Sequence, residues 1–80
     1  MILYTTPAYR IGRHEWRIEV REATEFDQNS VVPVWRRAGM SGSWYEPADF
    51  SGEWPRGLFK LTVEHITEIA KYVEQGKNHG

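Results

Sequence analysis

The stretch "HEWRIEVREA", residues 14–23, alternates between apolar and charged side chains and decides the fold. Trp16, Ile18 and Val20 fall on one side of an extended chain, as a period of two requires. The residues on the other side alternate in sign: Glu15, Arg17, Glu19 and Arg21. The pattern predicts a β-strand with one buried face and one solvated face, on which opposite charges form ion pairs across strands.

Two short segments before this strand can pair with it. The segment "AYRIG", residues 8–12, is predicted as an antiparallel partner, with Gly12 and Arg13 as the turn. The segment "ILYTT", residues 2–6, is either a short strand or an arm that Pro7 cuts off.

The chain after the central strand predicts a polar loop and two further strands. "TEFDQNS", residues 24–30, has the composition of a turn or loop. "VVPVWRR", residues 31–37, is predicted as a strand. Pro33 cannot donate to a ladder, so this strand is expected at an edge or with a bulge. "SWYE", residues 43–46, is expected to return as a short strand.

Apolar residues recur at spacings of three and four near the end of the chain and predict an amphipathic helix. They are Val63, Ile66, Ile69, Ala70 and Val73. Thr62 is the expected N-cap and Gly76 the expected stop. The helix then covers about 62–75, and a frayed tail covers 76–80. The segment "GLFKLT", residues 57–62, is predicted as a final strand or an extended lead-in.

The length of 80 residues allows one small domain, 1–80, with a single core. The elements predict an α+β fold: a small antiparallel β-sheet of three to five strands, within 2–61, with one C-terminal α-helix packed on one face. A small barrel with the helix as a lid is the alternative.

Cysteine usage and hydropathy predict a cytoplasmic protein. Small secreted domains usually depend on disulfides, and this chain has no cysteine. The first residues show no signal-peptide pattern, and no stretch approaches the roughly 20 apolar residues that cross a bilayer. No membrane contact is therefore expected.

No spacing of residues matches a catalytic, metal-binding or phosphate-binding motif. The histidines stand far apart: His14, His65 and His79. The acids of the central loop do not have the spacing of an EF-hand: Glu46, Asp49 and Glu53. The sequence therefore predicts that the protein is not an enzyme and binds neither a metal nor a cofactor.

The net charge of −1 and the pI near 6.3 disfavour a general nucleic-acid-binding protein. Arginines accompanied by aromatic residues, which can hold single strands, are nevertheless frequent in the first half. Arg17 and Arg21 alternate with acids that repel phosphates. Arg36 and Arg37 beside Trp35 are less neutralised. Direct binding of single-stranded nucleic acid through this edge is an alternative function.

The segment "SGSWYEPADFSGEWPRG", residues 41–57, concentrates aromatic and acidic residues without a regular period. Trp44 and Phe50 can close the gaps that a thin sheet leaves. Tyr45 points away from Trp44 in extended chain, so one of these two rings is expected to be exposed. Trp, Tyr and Arg are enriched where partner proteins bind tightly. The predicted partner-binding residues are Trp44, Tyr45, Glu46, Asp49, Glu53 and Trp54, together with Trp35, Arg36 and Arg37.

These features together predict a non-enzymatic protein-binding module that docks on a larger protein or nucleoprotein complex. In its profile, a short cysteine-free single domain, the chain is similar to small phage and mobile-element proteins that block host defence machinery, including anti-CRISPR proteins. The resemblance implies an inhibitor that occludes a nucleic-acid-binding surface of its partner by steric blocking or charge mimicry, in the host cytoplasm if the protein is phage-encoded. A homodimeric structural subunit is a further alternative.

Overall fold

The structure, a computed structural model, describes residues 1–25 and 30–77 and shows four β-strands followed by helices. The elements are β1 (Ile2–Thr5), β2 (Tyr9–Ile11), β3 (His14–Arg21), β4 (Val31–Arg37), a 3-10 turn (Pro47–Asp49), α1 (Gly57–Glu64) and α2 (Ile66–Lys77). An antiparallel sheet with the helices on one face confirms the predicted α+β class. Parts of the expected loop at 24–30 and of the expected tail at 76–80, with His79, lie outside the described residues.

The strand β3 is the centre of the sheet, and it pairs on both of its edges. All of β4 pairs along one edge, from His14 opposite Arg37 to Val20 opposite Val31. The other edge is shared end to end by β2 and β1, and β2 reaches β3 through the predicted turn at Gly12. Within the described residues β4 does not pair with β1 or β2, so the sheet is open and the barrel alternative is wrong.

Thr6 joins β1 to β2 where Pro7 interrupts the ladder. Its backbone N–H donates to the carbonyl of Ile18 at 3.0 Å, and its hydroxyl accepts from the N–H of Ile18 at 2.9 Å. The hydroxyl thus takes the place of a ladder carbonyl as acceptor for Ile18, and it donates to the carbonyl of Pro7 at 3.2 Å. Both polar groups of Ile18 are satisfied, and β1 and β2 continue along the same edge.

The strand β4 lies at an edge, as its proline predicts. Trp35 uses its backbone N–H and carbonyl to pair with Tyr45, at 3.2 and 2.7 Å, on the side away from β3. Because backbone direction alternates along a strand, Pro33 also turns its backbone outward, and its missing N–H removes no bond to β3. The expected strand at 43–46 is wrong, since only Tyr45 forms a bridge there.

The helical region begins at Gly57 and has a break at His65, which differs from the single helix predicted over about 62–75. The predicted strand or lead-in at 57–62 is therefore wrong. Thr62 is not an N-cap, because it lies inside α1 and its hydroxyl donates to the carbonyl of Leu58 at 2.8 Å. Such a bond to the preceding turn often bends a helix. His65, with φ −117° and ψ 17°, then leaves the helical region, and α2 begins at the next residue.

Both helices contact the face of the sheet that carries the apolar residues of β3. The buried core consists of Trp16, Ile18, Val20, Leu58, Leu61 and Ile69. The prediction that Val63 and Ile66 face the core is wrong, since they are 53% and 51% exposed. Ala70 is exposed as well.

Two glycines allow the helices to lie close to the sheet. A Cβ at Gly57 would stand 2.8 Å from the side chain of Ile11, and a Cβ at Gly76 would stand 3.2 Å from that of Leu3. Gly76 is buried inside α2, which continues to Lys77, so the prediction that it stops the helix is wrong. The missing side chain serves packing at this position.

Candidate partner-binding surface

The segment 43–54 wraps around the outer edge of β4 and contributes a ring to each face of the sheet. Tyr45 pairs with Trp35, and paired residues share a face, so the Tyr45 ring packs on the Trp35 ring at 4.9 Å between centroids. Trp44 lies on the opposite face. The sequence prediction that these neighbouring rings separate, with Tyr45 or Trp44 exposed, is confirmed, because Tyr45 is 53% exposed and Trp44 is half-buried.

Trp44 is a cap over the charged face of the sheet. The guanidinium carbons of Arg17 and Arg36 lie 4.6 and 4.3 Å from the centre of its ring. Contacts of this kind between guanidinium and indole are attractive because the ring face is electronegative. Trp44 therefore holds the segment to the sheet, and its ring is used within the molecule.

The charged face is not fully solvated, which corrects the prediction for β3. Glu19 is only 3% exposed, and it accepts from Arg17 at 2.8 Å and from Arg21 at 2.9 Å. Val32 and Val34, which face this side of the sheet, are buried too. The sequence pattern shows alternating charges, but it does not show that a loop covers them.

Glu46 is tied to the same network. Arg21 donates to its carboxylate at 2.9 Å and so links the loop to β3. The hydrogen bond that Arg21 donates to Glu46 is the largest cause that raises the pKa of the Arg21 guanidinium above its ordinary value, against the opposing effect of burial. Glu46, predicted to bind a partner, thus serves first to fix the loop.

Arg36 is neutralised within the molecule, so the prediction that it remains less neutralised is wrong. Its Nε donates to the carboxylate of Glu15 directly across the strand pair, and its Nη1 donates to the carbonyl of Gly42 at 3.1 Å. Arg37 turns to the other face, is exposed, and makes no side-chain hydrogen bond or ion pair with the described residues. The Arg36–Arg37 pair is thus split by the strand.

Phe50 closes the end of the helix-covered face. Its ring lies 4.9 Å from the ring of Trp16, 5.2 Å from that of Trp35 and 5.3 Å from that of His14, all edge to face. Trp35 donates its indole N–H to the carbonyl of Glu46 at 2.9 Å. Trp35 and Phe50 therefore belong to the packed cluster, and His14 is a packing residue of the same cluster.

Six of the predicted partner-binding residues are exposed: Arg37, Tyr45, Glu46, Asp49, Glu53 and Trp54. Glu46 is bound to Arg21, and Arg37 lies on β4 outside the segment 43–54. The other four are Tyr45, Asp49, Glu53 and Trp54, and we call them the docking loop. Tyr45 and Trp54 are each 53% exposed, and the two acids lie between them in sequence. Trp35, Arg36 and Trp44 are half-buried and form contacts within the protein.

The sequence prediction missed a second exposed apolar surface, on the helices. Phe59 is 78% exposed, and it is followed by Val63 and Ile66, each about half exposed. Phe59 and Val63 are four residues apart and lie on one side of α1, whereas Ile66 is the first residue of α2, after the break at His65. We call these three residues the helix stripe. The same spacing rule, applied from Phe59 onward, could have found it.

The described part of the chain holds no cluster of three or more His, Cys, Asp or Glu side chains able to bind a metal ion. None of the helices in it has both the length and the apolar character needed to span a bilayer. Comparison with known proteins identifies no relative, because no protein-family model, no curated protein and no solved structure matches the chain.

Proposed function

We propose that the protein is a non-enzymatic protein-binding module that docks through its docking loop. The observation that carries this proposal is the exposure of Tyr45 and Trp54, at 53% each, in a segment that contacts of Trp44, Glu46 and Phe50 hold to the sheet. Tyr and Trp are the residue types that contribute most where proteins bind tightly. Exposed aromatic rings on a segment that is held to the sheet are suited to contact a partner protein.

The support lowers the cost of ordering the loop on binding. Trp44 is held by two guanidinium groups, Glu46 by Arg21, and Phe50 by the rings around it. A segment fixed at these points loses less conformational entropy when a partner binds. Tyr45 is held further by its backbone bridge to Trp35 and by packing on the Trp35 ring.

The charge of the docking loop indicates the chemistry of the partner. Asp49 and Glu53 are exposed and form no ion pair with the described residues. Acids beside exposed rings fit a basic protein surface through ion pairs and cation–π contacts. A basic surface of this kind is typical of sites that bind nucleic acid. We therefore propose an inhibitor that occludes such a site on a larger host protein, in the manner of small phage-encoded inhibitors.

The experiment is an affinity capture from nuclease-treated lysate of a candidate host, with variants of the docking loop. Trp54→Ala and Tyr45→Ala are expected to weaken capture of the same partner at least tenfold, since truncation of a central aromatic costs 2 kcal/mol or more, on the order of one to three decades in affinity. Asp49→Lys with Glu53→Lys is expected to weaken it further and to reduce its salt dependence.

The matched control is Tyr9→Ala, which removes an exposed ring away from the docking loop. It should leave capture unchanged. Circular dichroism of each variant checks that the fold survives. Equal capture by wild type and by the folded Trp54→Ala and Tyr45→Ala variants contradicts the proposal, as does a partner that is lost on nuclease treatment.

A second candidate function is a homodimeric subunit, which the helix stripe favours. Phe59 and Val63 on α1 and Ile66 at the start of α2 are exposed, and apolar residues exposed on helices are typical of helix–helix contacts. The test is the mass of the protein over a concentration series. Self-association that Phe59→Asp abolishes and Trp54→Ala does not abolish supports the dimer, and a constant monomer mass excludes it.

A further inference from the structure

A surface pocket of about 230 Å³ opens at the end of β4, outside the docking loop except for one shared residue. Its lining consists of Arg36, Arg37, Met40, Ser41, Gly42, Ser43 and Tyr45. The volume is below the roughly 300–1,000 Å³ of pockets for drug-sized ligands. The pocket therefore suits one small unit of a ligand.

The walls of the pocket are fixed by contacts within the protein. On one side Arg36 is bound to Glu15 and donates to the carbonyl of Gly42, which anchors the glycine-rich turn. On the other side Tyr45 is bridged to Trp35 through both backbone groups and packs on its ring. The pocket is thus preformed, and a ligand would not have to order it.

The lining offers hydrogen-bond donors to an anion. It includes Arg37 and the hydroxyl residues Ser41 and Ser43, and none of its residues is acidic. Arg36 is partly neutralised by Glu15, but Arg37 is exposed and unpaired by any described residue. Ser41 and Ser43 are exposed and can donate through their hydroxyls. Guanidinium and hydroxyl donors around one space are the usual ligands of a phosphate group.

Tyr45 adds a flat surface beside these donors. Its ring is 53% exposed although one part of it packs on Trp35. An exposed ring next to arginine is the combination that holds single-stranded nucleic acid, since the ring stacks on a base while the guanidinium contacts the phosphate. An acidic side chain of a peptide would use the cation but would leave the ring unused.

We propose that this pocket binds one nucleotide unit of a single-stranded nucleic acid, with its phosphate on Arg37 and the serine hydroxyls and its base on Tyr45. The proposal goes beyond the docking loop's function, which is assigned to a protein partner, although Tyr45 belongs to both surfaces. It also differs from the sequence-based alternative, since Arg37 and Tyr45 make the contact while Arg36 is bound within the protein and Trp35 does not line the pocket.

The surroundings of the pocket extend the positive charge beyond one phosphate. The β2–β3 turn lies alongside, because the carbonyl of Arg13 accepts from the N–H of Ala38 at 2.9 Å. Arg13 is exposed, as is Arg10 on the neighbouring strand. This end of the sheet therefore carries several arginines although the whole chain has a net charge of −1. The local field, and not the net charge, governs a contact of this size.

The experiment titrates the purified full chain at low ionic strength with four probes: a short fluorescent oligothymidylate, thymidine 5′-monophosphate, thymidine and inorganic phosphate. The oligomer is expected to bind most tightly, and the monophosphate more tightly than either thymidine or phosphate. Binding of the oligomer should weaken as salt rises, with a slope of about −0.7 for each phosphate contact to a single strand.

Two substitutions assign the binding to the pocket. Arg37→Glu is expected to weaken binding of the oligomer at least about tenfold. It should also reduce the slope of log affinity against log salt by about 0.7, the contribution of one phosphate contact. Tyr45→Ala is expected to weaken it at least about fivefold, the lower end for loss of one stacked base, whereas Tyr45→Phe keeps the ring and the affinity. Far-ultraviolet circular dichroism confirms that each variant is folded.

The matched control is Arg56→Glu, which makes the same charge change beside Gly57, a residue that packs on Ile11 at the opposite edge of the sheet. A loss for Arg56→Glu as large as that for Arg37→Glu overturns the proposal. So does the absence of oligomer binding, or inorganic phosphate that competes as well as the monophosphate. Trp54→Ala separates the two proposals, because it should abolish protein capture and leave oligomer binding intact.

Discussion

The two faces of the sheet are closed by different forces. On the helix face, Trp16 and its apolar neighbours on β3 pack against residues of both helices. On the charged face, Glu19 is 3% exposed, the same value as Ile18 in the apolar core. A carboxylate can be buried this deeply because Arg17 and Arg21 both donate to it. The comparison teaches that a strand with alternating apolar and charged residues can have two buried faces.

Because the two faces are held by different interactions, substitutions on them are expected to lower stability by different amounts. Apolar burial is non-directional and scales with area, at roughly 25 cal/mol per Å². Removal of an apolar side chain therefore lowers the free energy of unfolding in proportion to the area that the side chain buried. Burial of a charge depends on its partners, so removal of one partner leaves the others desolvated and uncompensated. Substitutions matched across the two faces therefore test this account.

The largest effect is expected on the helix face. Trp16 is 1% exposed, lies in the core between the sheet and the helices, and packs against the ring of Phe50. Trp16→Ala should lower the free energy of unfolding by about 3–5 kcal/mol, because it leaves a cavity that a thin core cannot refill. Urea denaturation followed by circular dichroism measures it. A loss under about 1 kcal/mol would contradict the expectation that substitutions on the helix face have the largest effect on stability.

The next largest effect is expected at Glu19. Glu19→Gln keeps the shape and removes the charge that Arg17 and Arg21 share. The cost should be about 2–3 kcal/mol, below the 3–5 kcal/mol of a fully buried pair, because both arginine side chains are about a quarter exposed. Urea denaturation measures it in parallel with Trp16→Ala. If Glu19→Gln is neutral, the charged face is closed by the valines and Trp44 alone.

The two tryptophans of the segment 43–54, Trp44 and Trp54, extend the comparison to the loop. Trp44→Ala removes contacts with two guanidinium groups and should cost about 1–2 kcal/mol. Trp54→Ala removes a ring with no such contact and should stay within about 0.5 kcal/mol. Thermal unfolding of the two variants side by side gives the difference. Equal losses mean that Trp54 is a structural residue and that the docking loop is misassigned.

The smallest effect is expected at the pair of Glu15 and Arg36. Glu15→Gln should cost about 0.2–1 kcal/mol, because Arg36 is partly solvated and keeps its bond to Gly42 and its contact with Trp44. The measurement is denaturation at low and high salt. A cost as large as that of Glu19→Gln would show that burial does not distinguish the two carboxylates.

Much of the sheet could be predicted because its signals are local. Strict alternation marks β3, Gly12 with its φ of 64° marks the turn, and Pro33 marks an edge. Each of these features acts through the backbone of the residue itself or of its immediate neighbours. The end-to-end pairing of β1 and β2 is not local, because it depends on the hydroxyl of Thr6 reaching Ile18.

The helix could be predicted in kind but not in orientation. Of the apolar residues whose spacing predicts the core side, Ile69 is buried and Val73 packs against the core, whereas Val63, Ile66 and Ala70 are exposed. The buried side also includes Leu61 and Gly76, and a glycine does not register as apolar surface in a periodicity count. The count assumes one continuous helix, and the break at His65 separates Val63 from Ile69.

By itself the sequence determined a small α+β domain, the course of β3, the edge position of β4 and a helical C-terminal region, since periodicity and backbone restrictions act over a few residues. Only the tertiary structure decided which apolar residues of the helices are buried and that Glu19 is buried between two arginines. It also decided that Trp44 and Phe50 close opposite faces of the sheet while Tyr45 and Trp54 remain exposed. These outcomes depend on contacts between residues distant in the chain, where burial and pairing are shared and no local pattern records them.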